Sequence, residues 1–435
     1  MESMPAGEVH HPMRRVLLLA LALCALCSEA ALGADDFATL AAALNAAHKA
    51  GDYAAMETDA EKLLALRPGY PRLEYLLAVA RVHRGDTPGT LQALGQVVEA
   101  GVYVDLAPIA DFAALKDQPA FQALMARFAA LHRPLAKAVP GFRLAEPDFI
   151  PEGIAYDPGS GDFFVASVHL REIVRVHGGK ETAFAGPEAG LWSVLGIKTD
   201  PAHGALWAVT SALPQMTGYG TALKGKSALY RFDLKTGAVQ GSYPVPADGA
   251  DHELNDLTVA ADGTVYAADG NGGVYVLSPG AKALVALTAA GALESAQGLA
   301  LSPDGRYLYI SDYERGLYAF DFADKQLLRL KVNDGVNPYY VDGMVLYGHD
   351  LVAVQNAAEP QRVTRFRLSP DGLAITDAEV LDSADPLAPE PTLATVVGNE
   401  LYLVANSQWS RFDDAGQLPP QEQLQPPLIA KLPLD

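Results

Sequence analysis

Two hydrophobic periods divide the chain. Over residues 36–135 the apolar positions recur at helical spacing. Leu40, Leu44 and His48 fall on one face, and Leu63, Leu64 and Leu66 mark a second helix. From Phe149 onward the pattern becomes short apolar runs of period two, separated by Gly, Asp, Pro and Asn, as in an all-β domain. Ahead of both, Arg14 and Arg15 precede an apolar run from Val16 to Cys27. Small residues follow, with Ala31-Leu32-Gly33 as a cleavage site and Ser28-Glu29-Ala30 as a second choice. At about 12 residues the run is short for ~30 Å of hydrocarbon. The expected organisation is a signal peptide at 1–33, a helical segment at 36–135 and a β domain at 145–430. It implies a periplasmic or secreted protein with no membrane span after signal removal. An uncleaved anchor, a lipoprotein built on Cys24 or Cys27, and twin-arginine export are the alternatives.

Within the helical segment, Gly51-Asp52 and Gly85-Asp86 stand 34 residues apart. That spacing resembles tetratricopeptide helix hairpins. The segment reads as two degenerate repeats plus a capping helix at Gln118–Leu131. Two repeats are fewer than the three or so an independent solenoid needs, so the segment is expected to pack on the domain that follows. It is either a structural cap or a surface for a protein partner. Arg133–Arg143, with two prolines, reads as a linker.

The β region repeats. Six openings, "EGIAYDP", "LGIKTDP", "NDLTVAADG", "QGLALSPDG", "DGMVLYG" and "TLATVVG", place Glu152, Leu195, Asn255, Gln297, Asp342 and Thr392 at one position. Second strands place Phe164, Trp207, Tyr266, Tyr309, Val352 and Tyr402 in register, where they form core between neighbouring units. Six units of ~40–50 residues, each of about four strands, predict a mainly β fold: a six-bladed β-propeller behind a helical segment. A two-sheet sandwich is the runner-up. Asp262-Gly263, Asp304-Gly305 and Asp371-Gly372 are assigned to hairpin turns, and Asp269 and Asp312 to strand ends.

In a propeller the first strand of each blade lines the channel, so one position near its start converges on the axis. Here it carries two carboxylates and two amides. Buried polar groups of this kind need a partner, and the partner that serves all of them is a hard cation such as Ca²⁺. The composition allows this and excludes other classes. The formal charge of −20, from 52 acids and 32 bases, argues against nucleic acid. Both cysteines lie in the leader, which leaves the mature chain no thiolate site or cysteine nucleophile. His252, three residues before Asn255, is a candidate for proton transfer. No G-x-S-x-G elbow, Walker loop or dinucleotide fingerprint occurs.

Taken in order, "FIPEGIAYDP", "LNDLTVAADGTVYAAD", "AQGLALSPDGRYLYISD" and "YVDGMVLYG" resemble the regucalcin/gluconolactonase (SMP-30-like) superfamily over roughly Phe149 to Arg411. The resemblance implies a calcium-dependent hydrolase of a small-molecule lactone or ester. By it, Glu152, Gln297 and Asp342 would bind the metal. Asn255 would contact substrate or metal, and Asp342 would act as acid–base. Two positions depart from the pattern. Gln297 stands where the family usually has Asn, and Glu253 stands where sugar lactonases often carry Arg. A sugar-acid lactone is therefore not the expected substrate. The alternative is a non-catalytic binding or scaffold propeller in which the same ion only pins the blades.

Overall fold

The computed structural model describes residues 29–435. Most of the predicted leader, residues 1–28, lies outside the described residues, and its last residues fall within the first helix. Five α-helices come first: α1 (Glu29–Ala50), α2 (Tyr53–Leu66), α3 (Pro71–His83), α4 (Thr87–Glu99) and α5 (Pro119–Leu131). The repeated Gly-Asp pair explains the hairpins. Gly51 and Gly85 take φ of +70° and +79°, ending one helix in the left-handed region that glycine tolerates. The aspartates then cap the next helix, Asp52 accepting from Ala55 N and Asp86 from Gly89 N, both at 3.0 Å. The predicted capping helix is α5. Among the described residues, no helix is long and apolar enough to cross a membrane.

Six antiparallel sheets follow. The strand Val139–Arg143 is β1. Blade 1 is β2 (Pro151–Asp157), β3 (Asp162–Ser167), β4 (Ile173–His177) and β5 (Lys180–Ala185). Blade 2 is β6 (Ser193–Asp200), β7 (Ala205–Ser211), β8 (Ser227–Asp233) and β9 (Val239–Pro244). Blade 3 is β10 (Leu254–Val259), β11 (Val265–Asp269), β12 (Gly273–Leu277) and β13 (Val285–Ala286). Blade 4 is β14 (Ala296–Leu301), β15 (Tyr307–Asp312), β16 (Gly316–Asp321) and β17 (Gln326–Arg329). In blade 5 a short parallel strand, β18 (Lys331–Val332), adds to β19 (Val341–Tyr347), β20 (Asp350–Gln355), β21 (Arg362–Leu368) and β22 (Ala374–Ser383). Blade 6 joins β23 (Ala394–Val397), β24 (Glu400–Val404) and β25 (Leu428–Pro433) to β1. The innermost strands neighbour one another in the order β2, β6, β10, β14, β19, β23 and back to β2.

Closure of the ring corrects the linker assignment. Part of that stretch is β1, which pairs antiparallel with β25 and completes the last blade from the start of the domain. This leaves no open sheet at the seam. The predicted second-strand residues hold equivalent registers, with Ala155↔Phe164, Lys198↔Trp207, Thr258↔Tyr266, Ala300↔Tyr309, Val345↔Val352 and Thr395↔Tyr402 opposite one another. Each of the six lies in a different apolar cluster, so they supply the packing between blades. The Asp-Gly turns form as expected. Gly263, Gly305 and Gly372 have positive φ, and each preceding aspartate accepts a backbone N–H two residues on.

The helices dock on the propeller, as their short repeat count implies. They sit on the face where the inner strands begin, over blades 4 and 5. Arg67 pairs with Glu294, and the Tyr70 hydroxyl donates to Glu314 at 2.5 Å. Tyr339, Tyr340 and Ala358 of the propeller join the core of the helical segment. Arg362 is 7% exposed and donates to Ala100 O and Gly101 O, each at 2.9 Å, and to Gln355 Oε1 at 2.8 Å. Burial lowers its pKa only to about 10, so it is charged at neutral pH and ties the two parts together.

Candidate functional site

The channel wall is built by a repeated backbone irregularity. In blades 1 to 5 the pairing of the inner strand with the second strand shifts at the same point. The breaks lie between Pro151/Ile154, Val194/Ile197, Leu254/Asp256, Ala296/Leu299 and Val341/Met344. Glu152, Leu195, Asn255, Gln297 and Asp342 all fall inside these breaks. A β-bulge re-aims a side chain that regular alternation would send into a sheet face. Glycine follows the ring residue in four blades because adjacent inner strands nearly touch. A Cβ on Gly153 would stand 2.1 Å from Leu195 O, and one on Gly196 would stand 2.6 Å from Asp256 Oδ1. In blade 3 that slot holds Asp256 rather than glycine.

Three carboxylates result, Glu152 and Asp256 buried and Asp342 half-buried, and each has its own donor. Trp409 Nε1 donates to Glu152 Oε2 at 2.6 Å. Asn356 Nδ2 donates to Asp342 Oδ2 at 2.6 Å, and Tyr313 donates its hydroxyl proton to Asn356 Oδ1 at 2.6 Å. Lys198 Nζ lies 3.1 Å from Asp256 Oδ1, while Asp256 Oδ2 is buried without a partner. The carboxylates feel one another. Burial first, then the charge of Asp342, holds the Glu152 carboxyl well above its ordinary range, against the opposing Trp409 bond. Burial, then the charge of Asp256, pushes Asp342 up to about 7, with the Asn356 bond acting against the rise. Burial also raises Asp256, although Lys198 opposes it. The Tyr313 hydroxyl is raised by burial and by the Asp342 charge.

The other predicted residues are placed as follows. Gln297 donates Nε2 to Ser295 Oγ at 3.0 Å, a bond that does not use its amide oxygen. Asn255 lies against Gly270, where an added Cβ would meet its Nδ2 at 2.3 Å. Thr392 donates Oγ1 to Glu152 O at 3.0 Å and Leu195 is buried, so blades 6 and 2 present no oxygen donor at this position. His252 is held between two carboxylates, Nδ1 at 2.7 Å from Asp269 Oδ2 and Nε2 at 3.0 Å from Asp248 Oδ1. Burial lowers its pKa, but the bonds and charges of Asp269 and then Asp248 outweigh it, so the net shift is upward and favours the imidazolium. Asp269 and Asp312 are occupied as strand-end acceptors, the former by Glu253 N and Asn271 N, the latter by Glu294 N and Arg315 N.

The donor chemistry fits a hard cation. Two carboxylates and two amides from four blades lie in the bulges, and Asp256 beside them has one oxygen without a hydrogen-bond partner, although Lys198 meets its charge. Among the described residues no three His, Cys, Asp or Glu side chains gather closely enough to hold a metal by themselves. An ion at this place would therefore need the amide oxygens as well as Glu152 and Asp342. Sequence reasoning missed Asp256, Lys198, Asn356, Tyr313 and Trp409. The signal for Asp256 was present: it is the acidic residue standing where four of the six aligned openings read glycine.

A propeller whose inner-strand bulges gather acids and amides defines the class. The chain belongs to the family described as SMP-30/Gluconolactonase/LRE-like region, which matches residues 150–387. No curated protein matches it. Among solved structures, a gluconolactonase from Xanthomonas campestris is 20% identical, with 71% of this chain and 93% of that chain covered and a TM-score of 0.46. Regucalcin from Agrobacterium tumefaciens, a calcium-binding protein, is 17% identical over 67% and 93%, with a TM-score of 0.47. Virginiamycin B lyase from Staphylococcus aureus is 16% identical over 61% and 80%, with a TM-score of 0.44.

Proposed function

We propose that the chain is an exported, metal-dependent hydrolase of a lactone or ester. The observation that carries the reading is the run of carboxylates along the bulged channel wall, in which the charge of Asp342 raises the proton affinity of Glu152 and the charge of Asp256 raises that of Asp342. Membership in a family described by gluconolactonase supports the same class. Glu152, Asn255, Gln297 and Asp342 would hold a Ca²⁺-type ion, which when bound polarises the ester carbonyl and lowers the pKa of water. Asp342 accepts the proton of the attacking water, the role that a carboxylate held at the channel wall beside the bound carbonyl can fill. Asn356, held by Tyr313, fixes the orientation of the Asp342 carboxylate. The water oxygen adds to the carbonyl carbon, the ester C–O bond breaks, and the departing oxygen takes the proton. Glu253 stands where a sugar lactonase often has Arg, so the substrate is proposed to be a lactone or ester other than a sugar-acid lactone. Export rests on Arg14, Arg15 and the apolar run that follows them.

The test is a panel of lactones and aryl esters with and without chelator. Turnover that chelation abolishes, and that Asp342→Asn lowers at least a hundredfold, is expected. Turnover unchanged in Asp342→Asn removes the catalytic role. A second reading, a binding or scaffold propeller, is favoured by the dedicated protein donor on each carboxylate. It gains if Ca²⁺ raises the melting temperature and no substrate is turned over.

A further inference from the structure

A second concavity lies away from the axis, where the helices meet the outer strands of blade 4. It measures about 830 Å³, which suits a small molecule. Phe37, Leu66, Leu287, Tyr318, Phe320 and Leu327 give it apolar walls. Its charged lining is wholly basic, Arg67, Arg315, Lys325 and Arg329, in a chain of formal charge −20. Two of these charges are already met, since Arg67 and Arg315 both pair with Glu294. The other two are not. Arg329 donates to Leu66 O at 2.9 Å and to the Tyr339 hydroxyl at 2.8 Å, both neutral acceptors. Lys325 is exposed, at the turn entering β17, and has no ion-pair partner among the described residues.

Cations without a counter-charge beside an aromatic and aliphatic wall recognise one chemical class. We infer that this cleft binds a small organic anion with an apolar body, its head on Lys325 and Arg329 and its body against Leu287, Tyr318 and Leu327. The inference is independent of the hydrolase reading, because none of the axial residues lines the cleft. An anion there would also bridge blade 4 to the end of α2, through Leu66, and so clamp the helical segment to the propeller.

The experiment is calorimetric titration of the full chain with decanoate, decan-1-ol and acetate. Saturable one-to-one binding of decanoate is expected, with the alcohol and acetate at least tenfold weaker. Lys325→Glu should weaken decanoate at least tenfold. Ala289→Trp, at an exposed position on the cleft wall, should block it, and neither variant should change the thermal melt. Absence of saturable decanoate binding overturns the inference. So does equal binding of the alcohol, or unaltered affinity in both variants. Sedimentation with phosphatidylglycerol vesicles separates the two sources of such an anion. Vesicle binding without free decanoate binding would assign the basic residues to a lipid surface and overturn the small-molecule site.

Discussion

The Lys198–Asp256 pair offers a sharp test of how the axis is held. Asp256 is 1% exposed and its Oδ2 has no partner, so Lys198 Nζ at 3.1 Å is its sole counter-charge in the contacts described above. At that separation, and an effective dielectric constant of about 20, the attraction is about 5 kcal/mol. Lys198→Met keeps most of the length of the side chain and deletes the charge. Breaking a buried pair by removing one partner costs ~3–5 kcal/mol, because the remaining charge is left uncompensated. The penalty should depend on pH in a set direction. The Asp256 carboxyl is already raised by burial, and it rises further once Lys198 no longer opposes burial. A carboxyl whose folded pKa exceeds its unfolded value lowers stability as pH rises through that interval. The variant should therefore lose least at pH 5 and most at pH 8. Urea unfolding at both values measures it, with the midpoint converted to free energy through an unchanged m-value. Lys198→Met/Asp256→Asn should recover most of the loss, since it deletes both charges. A loss below about 1 kcal/mol, the same loss at both pH values, or no recovery in the double variant would refute the electrostatic account.

Three further outcomes are expected. Gly153→Ala places a methyl 2.1 Å from the Leu195 carbonyl oxygen, which belongs to backbone and cannot turn away, so blades 1 and 2 must separate; unfolding should become easier by ~1–3 kcal/mol. Arg362→Met leaves Gly101 O without its donor and Ala100 O with Asn337 Nδ2 alone, and limited proteolysis should then cleave the helical segment while the propeller fragment persists. Glu253, raised to about 7 by burial and the charge of Asp269, should make the chain less stable as pH rises from about 4.5 through 7. Glu253→Gln should accordingly raise the melting temperature at pH 8 and leave it nearly unchanged at pH 5.

The blades were legible because each repeats the same short strands, and a period of two with turn residues between units survives any change of side-chain identity. The hairpins of the helical segment were legible for a related reason. One Gly-Asp pair performs two jobs, ending a helix and capping the next. The ring closure was not legible. Val139–Arg143 contains Pro140 and Gly141 and is mostly exposed, so it lacks the alternation that identifies a strand; only its pairing with β25, at the far end of the chain, makes it one. The donors to the carboxylates were hidden for a different reason. Lys198 and Asp256 are 58 residues apart and Trp409 and Glu152 are 257 apart, and Trp409 stands in a connection that no other blade repeats.

The repeat also explains why the axis is asymmetric. Glycine at the slot after the ring residue lets neighbouring strands approach in blades 1, 2, 4 and 5. Blade 3 places Asp256 there, and its carboxylate has room only because Gly196 of blade 2 has no side chain. Blade 2 is also the blade whose ring residue, Leu195, offers no oxygen, and it supplies Lys198 instead. Oxygen donors therefore come from blades 1, 3, 4 and 5, and the internal cation comes from blade 2. The protein charge thus lies against Asp256 and away from Glu152 and Asp342, whose donors, Trp409 and Asn356, are neutral. Neither of those two acids has a protein cation among its hydrogen-bond partners, whereas Asp256 does, so an external cation entering the channel would compete with Lys198 only at Asp256.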